Sequence, residues 1–480
     1  MTAPVAVFTE FYVQTTGNNL NAGSTTSDTA LATYVSSLVA GWNSGTGVFE
    51  VASGNPVSDG VTVGMFASVY VTSGATVATF VARITAVTST QITVSLTADS
   101  GTPPSTDVLG LTTMKVGGAW KGPNGATGFP YNFVSWAMTD ASNHSVRVNY
   151  KNGTNYGITA AMTHAVTGTN VAATTFEGYT ATPGDGGIAT IDGGSPAGST
   201  YTMLTVSVNR INIIGFKFQN NGTGTPSGST GDGIRLSGGG CLVKNCIATG
   251  IRRSGFYNSG NNQIEQCEAY DCQKSNNASG GVFGAFTISG SAATMTRCIA
   301  HNNTAGSNAH GIAHASTGTI KDCIVANNTG SGLYNTATGV LLIKNCDFYN
   351  NTLDGINFAS GPATPVQATI EGCNFVKNGA YGIRFRASMF GIMQNNNFGS
   401  GSQANASGNV LAPQPCSFEE RNTGIYDSGL TPWTDPANGD FRINMRFAKG
   451  GGPGRFTITK SGVGPTVGYP DVGAAQASHS

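Results

Sequence analysis

Charge is what this sequence has least of. Only 10% of its 480 residues are Asp, Glu, Lys or Arg, against about 25% in an ordinary soluble domain. The 24 basic residues balance 24 acidic ones. Nucleic-acid binding requires clustered Lys and Arg to neutralise phosphates, and no basic run is present to supply them. Disorder is excluded from the opposite side. Disordered chains combine low hydrophobicity with high net charge, whereas this chain is 39% hydrophobic at a net charge of zero. An apolar run of about 18 residues, the length of a membrane-spanning helix, is also missing. Residues 1–16 hold no basic segment followed by a long apolar one, so no secretory signal is visible. The chain is expected to stay inside, to leave without a cleaved leader, or to have been trimmed. Glycine, by contrast, is abundant at 68 residues. Without a strict three-residue period this is not collagen.

The nine cysteines are arranged as a repeat. Six stand third after an apolar residue: Val243 to Cys246, Ile264 to Cys267, Met295 to Cys298, Ile320 to Cys323, Ile343 to Cys346 and Ile370 to Cys373. They lie 21 to 31 residues apart. Met393 to Asn396 is a further copy with Asn in the Cys place, and Ile213 to Phe216 looks like an earlier one. Two residues after the Cys comes a small or apolar residue. Five after it, four copies carry Asn: Asn303, Asn328, Asn351 and Asn378. A Gly-apolar pair follows in most copies, as in Gly332-Leu333 and Gly355-Ile356.

Periods of 20 to 30 residues mean a solenoid, in which each repeat buries its apolar edge against its neighbours. The apolar positions lie two or three apart in short segments bounded by Asn and Gly, with no sustained helical period. Each repeat therefore reads as short strands joined by tight corners and stacked in parallel about 4.8 Å apart. Asn and Gly are expected at those corners because they tolerate left-handed backbone. Stacked Asn side chains can bond from copy to copy. The cysteines read as a structural column of small, buried, soft side chains. Their spacing is not the paired spacing of zinc ligands, so no metal is expected. The state of Cys241, Cys272 and Cys416 stays open.

These residues resemble the right-handed parallel β-helix repeat proteins of the pectin lyase-like superfamily. Phe11-Tyr12-Val13 with Gly17-Asn18 and Asn21-Ala22-Gly23 is similar to that family's entry strand, with Asn where Asp is usual. Val146-Arg147-Val148 through Thr154, and Thr175 to Tyr179 with residues 183–187, resemble its first coils. Residues 435–441 and 469–474 resemble its closing segments. The resemblance covers about four fifths of the sequence, leaving out mainly residues 46–118, and implies a right-handed parallel β-helix; with the alternating segment it leaves out, the fold reads as all-β, a β-helix with a small antiparallel β insert near the N-terminus and a C-terminal cap. The layout reads as an entry and cap over 1–45, a small barrel or sandwich over 46–118, the β-helix over 119–398 and a closing segment over 399–480. Within the insert, residues 61–71, 77–87 and 92–96 alternate apolar and small polar residues. Trp120, Phe129, Phe133 and Trp136 are expected to pack a cap over the first coil.

Enzymes of the family that this sequence resembles act on polysaccharides with carboxylates clustered on adjacent coils, so a site here requires carboxylates in neighbouring positions of one column. Before the Gly-apolar pair stand Asp232, Ser254, Phe283, His310, Ser331, Asp354 and Tyr381. His310 and Asp354, two coils apart, would be separated by about 10 Å. Asp232 and Asp354 would be about 24 Å apart, beyond the roughly 5 to 9.5 Å of a glycosidase pair. His310 and Asp354 are the catalytic candidates, with Asp271 and Arg384 as possible helpers; the alternative is corner residues that satisfy turn amides. His301, His310 and His314 lie close in sequence, yet His310 and His314 would stand about 13 Å apart in an extended strand, too far for one metal. Two residues before the Cys runs a charged column, Lys244, Glu265, Thr296, Lys321, Lys344, Glu371 and Gln394, expected as a solvated face with opposite charges on adjacent rungs.

The column after the Gly-apolar pair holds Arg235, Tyr257, Phe286, Ala313, Tyr334, Asn357 and Arg384. If its apolar neighbour points in, pleating turns this column outward. Rings stack on sugars or on another subunit, and Arg supplies hydrogen-bond forks. Arg235, Tyr257, Phe286, Tyr334 and Arg384 are therefore the candidate glycan or subunit contacts; the alternative is a ladder stabilising its own sheet. Two readings follow. One is a structural and adhesive surface protein, a bacteriophage virion component such as a tail spike, fibre or head decoration. It would be a homo-oligomer, a trimer by analogy with spikes, with other virion or surface proteins and polysaccharide as partners, no cofactor, and a place on the virion or extracellular surface. The other is a polysaccharide lyase or glycoside hydrolase; Ca²⁺ enters only if it is a lyase.

Overall fold

The structure, a computed structural model, describes residues 8–14, 29–35, 41–73, 76–96, 103–108, 112–117, 120–121, 145–153, 155–164, 173–197, 200–224, 230–273, 283–304, 309–337, 339–359, 366–386, 389–412, 417–421, 424–425, 433–435, 440–443, 456–459 and 462–465. Gly17, Gly23, Phe129, Phe133, Trp136, Cys416 and residues 469–474 lie outside them. The fold is all-β, and among the described residues no helix is long and apolar enough to cross a membrane. The chain divides into two compact units, Met1–Ile191 with Val208–Phe216, and Asp192–Ser207 with Lys217–Ser480.

In the first unit, Phe8–Gln14 pairs in parallel with both Trp120–Lys121 and Ser145–Lys151, and the latter pairs onward with Thr174–Tyr179 and then Ile211–Ile214. The entry segment is thus itself a rung. Between these rungs lies an antiparallel sheet ordered Ala32–Val35, Thr112–Val116, Phe66–Ser73, Thr76–Val87, Gln91–Val94, Val48–Glu50 and Trp42–Asn43. Ala52 N–H donates to Val35 O at 2.9 Å, drawing the two ends of the sheet together. Alternation buries one face, with Tyr34, Trp42, Phe49, Val69, Phe80, Ile84, Ile92 and Met114 at its centre. Tyr34 and Trp42 precede residue 46, the expected start of the insert. Their burial brings both strands into the sheet.

The second unit is a stack of coils, each with three short strands. One coil runs Leu242–Lys244, Ile247–Thr249, Phe256–Asn258; the last with all three runs Met389–Gln394, Asn397–Phe398, Gly408–Leu411. First strands pair only with first strands, second with second and third with third, all parallel and in register. Among the described residues of this unit the first sheet orders eight strands, ending at Ser417–Arg421. The inward column of the first sheet, Val243, Ile264, Met295, Ile320, Ile343, Ile370 and Met393, is fully buried. Each such side chain contributes about 1.5–3 kcal/mol.

Two left-handed residues turn every coil. One precedes the Cys: Asn245, Gln266, Arg297, Asp322, Asn345 and Asn395 have φ between 52° and 57°. The other precedes the Asn column: Asp271, Asn302, Asn327, Asn350 and Lys377 have φ between 50° and 58°. The Gly of the Gly-apolar pair has a different duty. A Cβ on Gly332 would lie 2.6 Å from Gly355 O and 2.8 Å from Phe348 Cδ1, so it is the approach of the next coil that demands glycine, not left-handed backbone.

Buried amide ladders clamp the coils. Asn303, Asn328, Asn351 and Asn378 each donate from Nδ2 to Oδ1 of the next Asn, ending on Asn405, at 2.8–3.0 Å. The same amides also donate to backbone carbonyls, as Asn351 does to Val325 O at 3.0 Å. Cys272 stands at the head of this column, its N–H donating to Asn303 Oδ1. The cysteines form a parallel ladder. All eight in the described residues are buried and none is in a disulfide, and their thiols donate to carbonyls two residues back, as Cys323 does to Lys321 O at 3.2 Å. Burial pushes the thiols of Cys267, Cys323 and Cys346 up. Asn396, in the Cys place, accepts from Cys373 N–H and donates to Ile370 O.

Candidate glycan face on the third sheet

Strict register makes the third sheet a set of columns. Opposite its apolar column stand Arg235, Tyr257, Thr287, Ala313, Tyr334, Asn357 and Arg384, each paired with the next; Thr287 and Ala313 are buried, and the other five are half-buried. Four of the five proposed contact residues share this column. Phe286 does not: it pairs with Phe256, is fully buried and stacks on that ring at 5.0 Å. In this coil Ala285 replaces the expected Gly, so the Gly-apolar pattern fell one residue early, on Gly284-Ala285. For the same reason the preceding column contains Gly284, paired with His310, and not Phe283.

That preceding column is buried. Asp232, Ser254, His310, Ser331 and Asp354 are all closed off from solvent. Asp232 accepts from Arg253 Nε at 2.7 Å, from Arg253 Nη2, from Ser254 N–H, and from Arg235 Nε at 3.0 Å. The Arg235 guanidinium then lies over the Tyr257 ring, 4.2 Å from its centroid. Arg253 packs over Phe283 at 4.5 Å. Sequence reasoning missed Arg253, although it lies 21 residues after Asp232, within the span of one coil.

Asp354 repeats the motif. Its Oδ1 accepts Tyr381 N–H at 3.0 Å, and its Oδ2 lies 3.0 Å from Arg384 Nε. This is an ion pair and not an aligned hydrogen bond. Arg384 lies over the Tyr381 ring at 5.2 Å. Burial pushes the Asp354 carboxyl up.

His310 accepts Ser331 N–H on Nδ1 at 2.9 Å, which places the proton of the neutral ring on Nε2. Its ring stacks on Tyr334 at 4.5 Å, and burial lowers its pKa to about 4. His310 and Asp354 are two rungs apart, about 10 Å, each tied to a backbone amide. The structure does not bring them together. Asp271 sits at a corner after the second sheet, off this face. His314 is buried, with Nδ1 3.1 Å from Asn335 Oδ1. His301 belongs to the second sheet, bonded to Glu268 at 2.8 Å and stacked on Tyr270. Among the described residues no three His, Cys, Asp or Glu side chains converge to hold a metal. On the first sheet, Lys244 meets Glu265 at 3.7 Å and Lys344 meets Glu371 at 3.1 Å across adjacent rungs.

The family model "Right handed beta helix region" matches residues 310–429, coils whose three-strand course has just been described. The chain is a right-handed parallel β-helix protein. No curated protein matches the sequence. Among solved structures, the β-helix is similar to pectate lyase Pel9A, with 15% identity and a TM-score of 0.49 over 74% of this chain and 94% of that one. It is similar to the A-module of mannuronan C-5 epimerase AlgE4 from Azotobacter vinelandii, with 13% identity and a TM-score of 0.41 over 59% of this chain and 84% of that one. It is also similar to the Dettilon tailspike protein gp208, with 14% identity and a TM-score of 0.39 over 59% and 53%. At such identities a shared chain course brings no activity with it.

Proposed function

We propose that this β-helix protein is a structural and adhesive surface protein that holds a glycan along the outer face of its third sheet, and that it serves as a virion component of the spike, fibre or decoration type. The observation that carries the reading is the outward column itself. Tyr257 and Tyr334 present rings between the two guanidinium groups of Arg235 and Arg384, while the acids behind them are buried and already paired. Rings of this kind stack on sugar faces, and the guanidinium fork recognises planar or charged oxygen groups. The same geometry supports binding rather than turnover at this face. Among its described residues, Asp232 and Asp354 are taken up by arginine and backbone partners, and they stand about 24 Å apart.

The experiment is glycan-array binding with the full chain and its Tyr334→Ala variant, followed by incubation of each bound glycan. Retention on wild type, lost at least tenfold in the variant, with no new reducing ends or unsaturated uronates, is the expected result. New ends or unsaturation would replace adhesion with the lyase or hydrolase reading. The virion role carries a separate expectation of a homotrimer, checked by mass in solution at micromolar concentration. A clean monomer would overturn that part.

A further inference from the structure

The second sheet is sealed from outside along part of its length. On either side of its inward column, Ala248 to Phe398, pleating turns the flanking residues outward. On the earlier rungs these are open: the Glu268 and His301 side chains keep 30% and 16% of their surface. On the next three rungs Ile324, Ala326, Asp347, Asn374 and Val376 are 0% exposed and Tyr349 is 5% exposed. Side chains as large as Ile and Tyr on the outer face of a coil are closed off to this degree only by a second layer lying on the sheet. One of them is a carboxylate. Asn374 Nδ2 donates to Asp347 Oδ1 at 2.6 Å, and a fully buried charge calls for opposite charge in the layer above it. The cover arrives from the C-terminal side, because residues 274–282, which leave the sheet after Tyr270, would have to cross the more open rung of His301 to reach Ile324.

We infer that the two closing hairpins of the chain are that layer: Trp433–Asp435 with Asp440–Ile443, and Phe456–Thr459 with Gly462–Pro465. The chain departs from this very sheet, since Gly424–Ile425 pairs with Asn397–Phe398. The seven residues between Ile425 and Trp433 span at most about 25 Å when extended. Asp347 lies three rungs back from Gly424, about 14 Å, so the hairpins are within reach of the sealed face. Their strands suit it. Phe441 and Ile443, and Phe456 and Ile458, recur at period two, the pattern of strands with one apolar face. The charge is complementary as well: residues 441–460 hold Arg442, Arg446, Lys449, Arg455 and Lys460, five of the chain's 24 basic residues, and no acidic one. The closing segment thus lies along the side of the stack, and the first and third sheets are left to meet a partner.

The test is hydrogen exchange, read by mass spectrometry on the full chain and three variants. Ala326→Arg puts a long charged side chain beneath the layer, and Thr249→Arg puts the same one on a half-buried rung of the same column. Exchange in 433–443 and 456–465 is expected to quicken about tenfold or more in the first and to stay within about twofold in the second. Unchanged protection at Leu341–Lys344 of the first sheet verifies that the coils are intact. Asp347→Asn keeps the shape and removes the charge; it should quicken the same two segments about threefold or more, and it carries the test should the arginine open the coils. Hairpins that exchange freely in the wild type, or that stay protected in Ala326→Arg with intact coils, would overturn the inference. Quickening confined to residues 274–282 would overturn it too and assign the cover to that segment. An unchanged rate in Asp347→Asn would overturn the match of charge.

Discussion

Arg253 and Asp232 form a sealed ion pair between successive coils, 2.7 Å from Nε to Oδ1, with side chains 3% and 0% exposed. The carboxylate needs the guanidinium: burial in apolar surroundings penalises a lone charge far more than it rewards a matched pair. Arg235 uses the outer side of the same carboxylate, so one buried acid fixes both an inner and an outer arginine.

Breaking this pair should be costly. Asp232→Asn leaves Arg253 charged and buried, and a loss of about 3 kcal/mol is expected. Asp232→Leu with Arg253→Met should recover most of it, because neither charge then needs solvation. Urea unfolding of the three proteins checks this; a single variant as stable as wild type would refute the burial argument.

Stability should fall in mild acid. Burial lowers the pKa values of His310 and His314 to about 4, against 6.5 for the free side chain. The folded state therefore binds fewer protons than the unfolded one between these limits. Their neutral-state contribution is whole above pH 6.5, begins to fall below it, and is gone by about pH 4. At about 1.4 kcal/mol per pKa unit, each histidine accounts for about 3 kcal/mol. Melting temperatures at pH 8 and pH 5 measure it, and His310→Gln should flatten the difference.

Asn351→Ala should loosen two coils at once. The amide donates to Asn378 Oδ1 and Val325 O, and its Oδ1 accepts from Asn328 Nδ2 and N–H. Buried groups left without partners cost about 1–3 kcal/mol each. Hydrogen exchange should quicken at Asn328 and in its neighbours while the antiparallel sheet of the first unit is unchanged.

Gly332→Ala should destabilise by about 1–3 kcal/mol through overpacking, since the new Cβ meets Gly355 O and the Phe348 ring. By comparison, Gly240→Ala has open space around its Cβ and bears only the strain of φ 66°. Thermal melts that ranked Gly240→Ala as the worse of the two would sink the close-approach explanation.

The Cys and Asn columns were legible because each coil repeats one environment, so Cys246 to Cys373 and Asn303 to Asn378 announce it by identity alone. The left-handed corners were legible only in part. Gln266, Arg297 and Lys377 adopt them without being turn residues, because the flanking strands leave one residue to reverse direction. Phe286 was misplaced where Ala285 stands in for Gly, and only backbone pairing could restore the count. Arg253 belongs to no column; its meaning comes from a partner on another coil, which a residue-by-residue pattern does not carry.

In-register pairing makes length on this molecule discrete. Every coil joins the next through the same three strand pairings and the same corners, so an in-frame loss or gain of one repeat between Tyr257 and Arg384 re-forms the contacts it interrupts. The separation of Arg235 and Arg384 then changes by a single step of about 4.8 Å. Slippage between repeated segments would thus lengthen or shorten the sheet in whole rungs, with no substitution in the coils that remain.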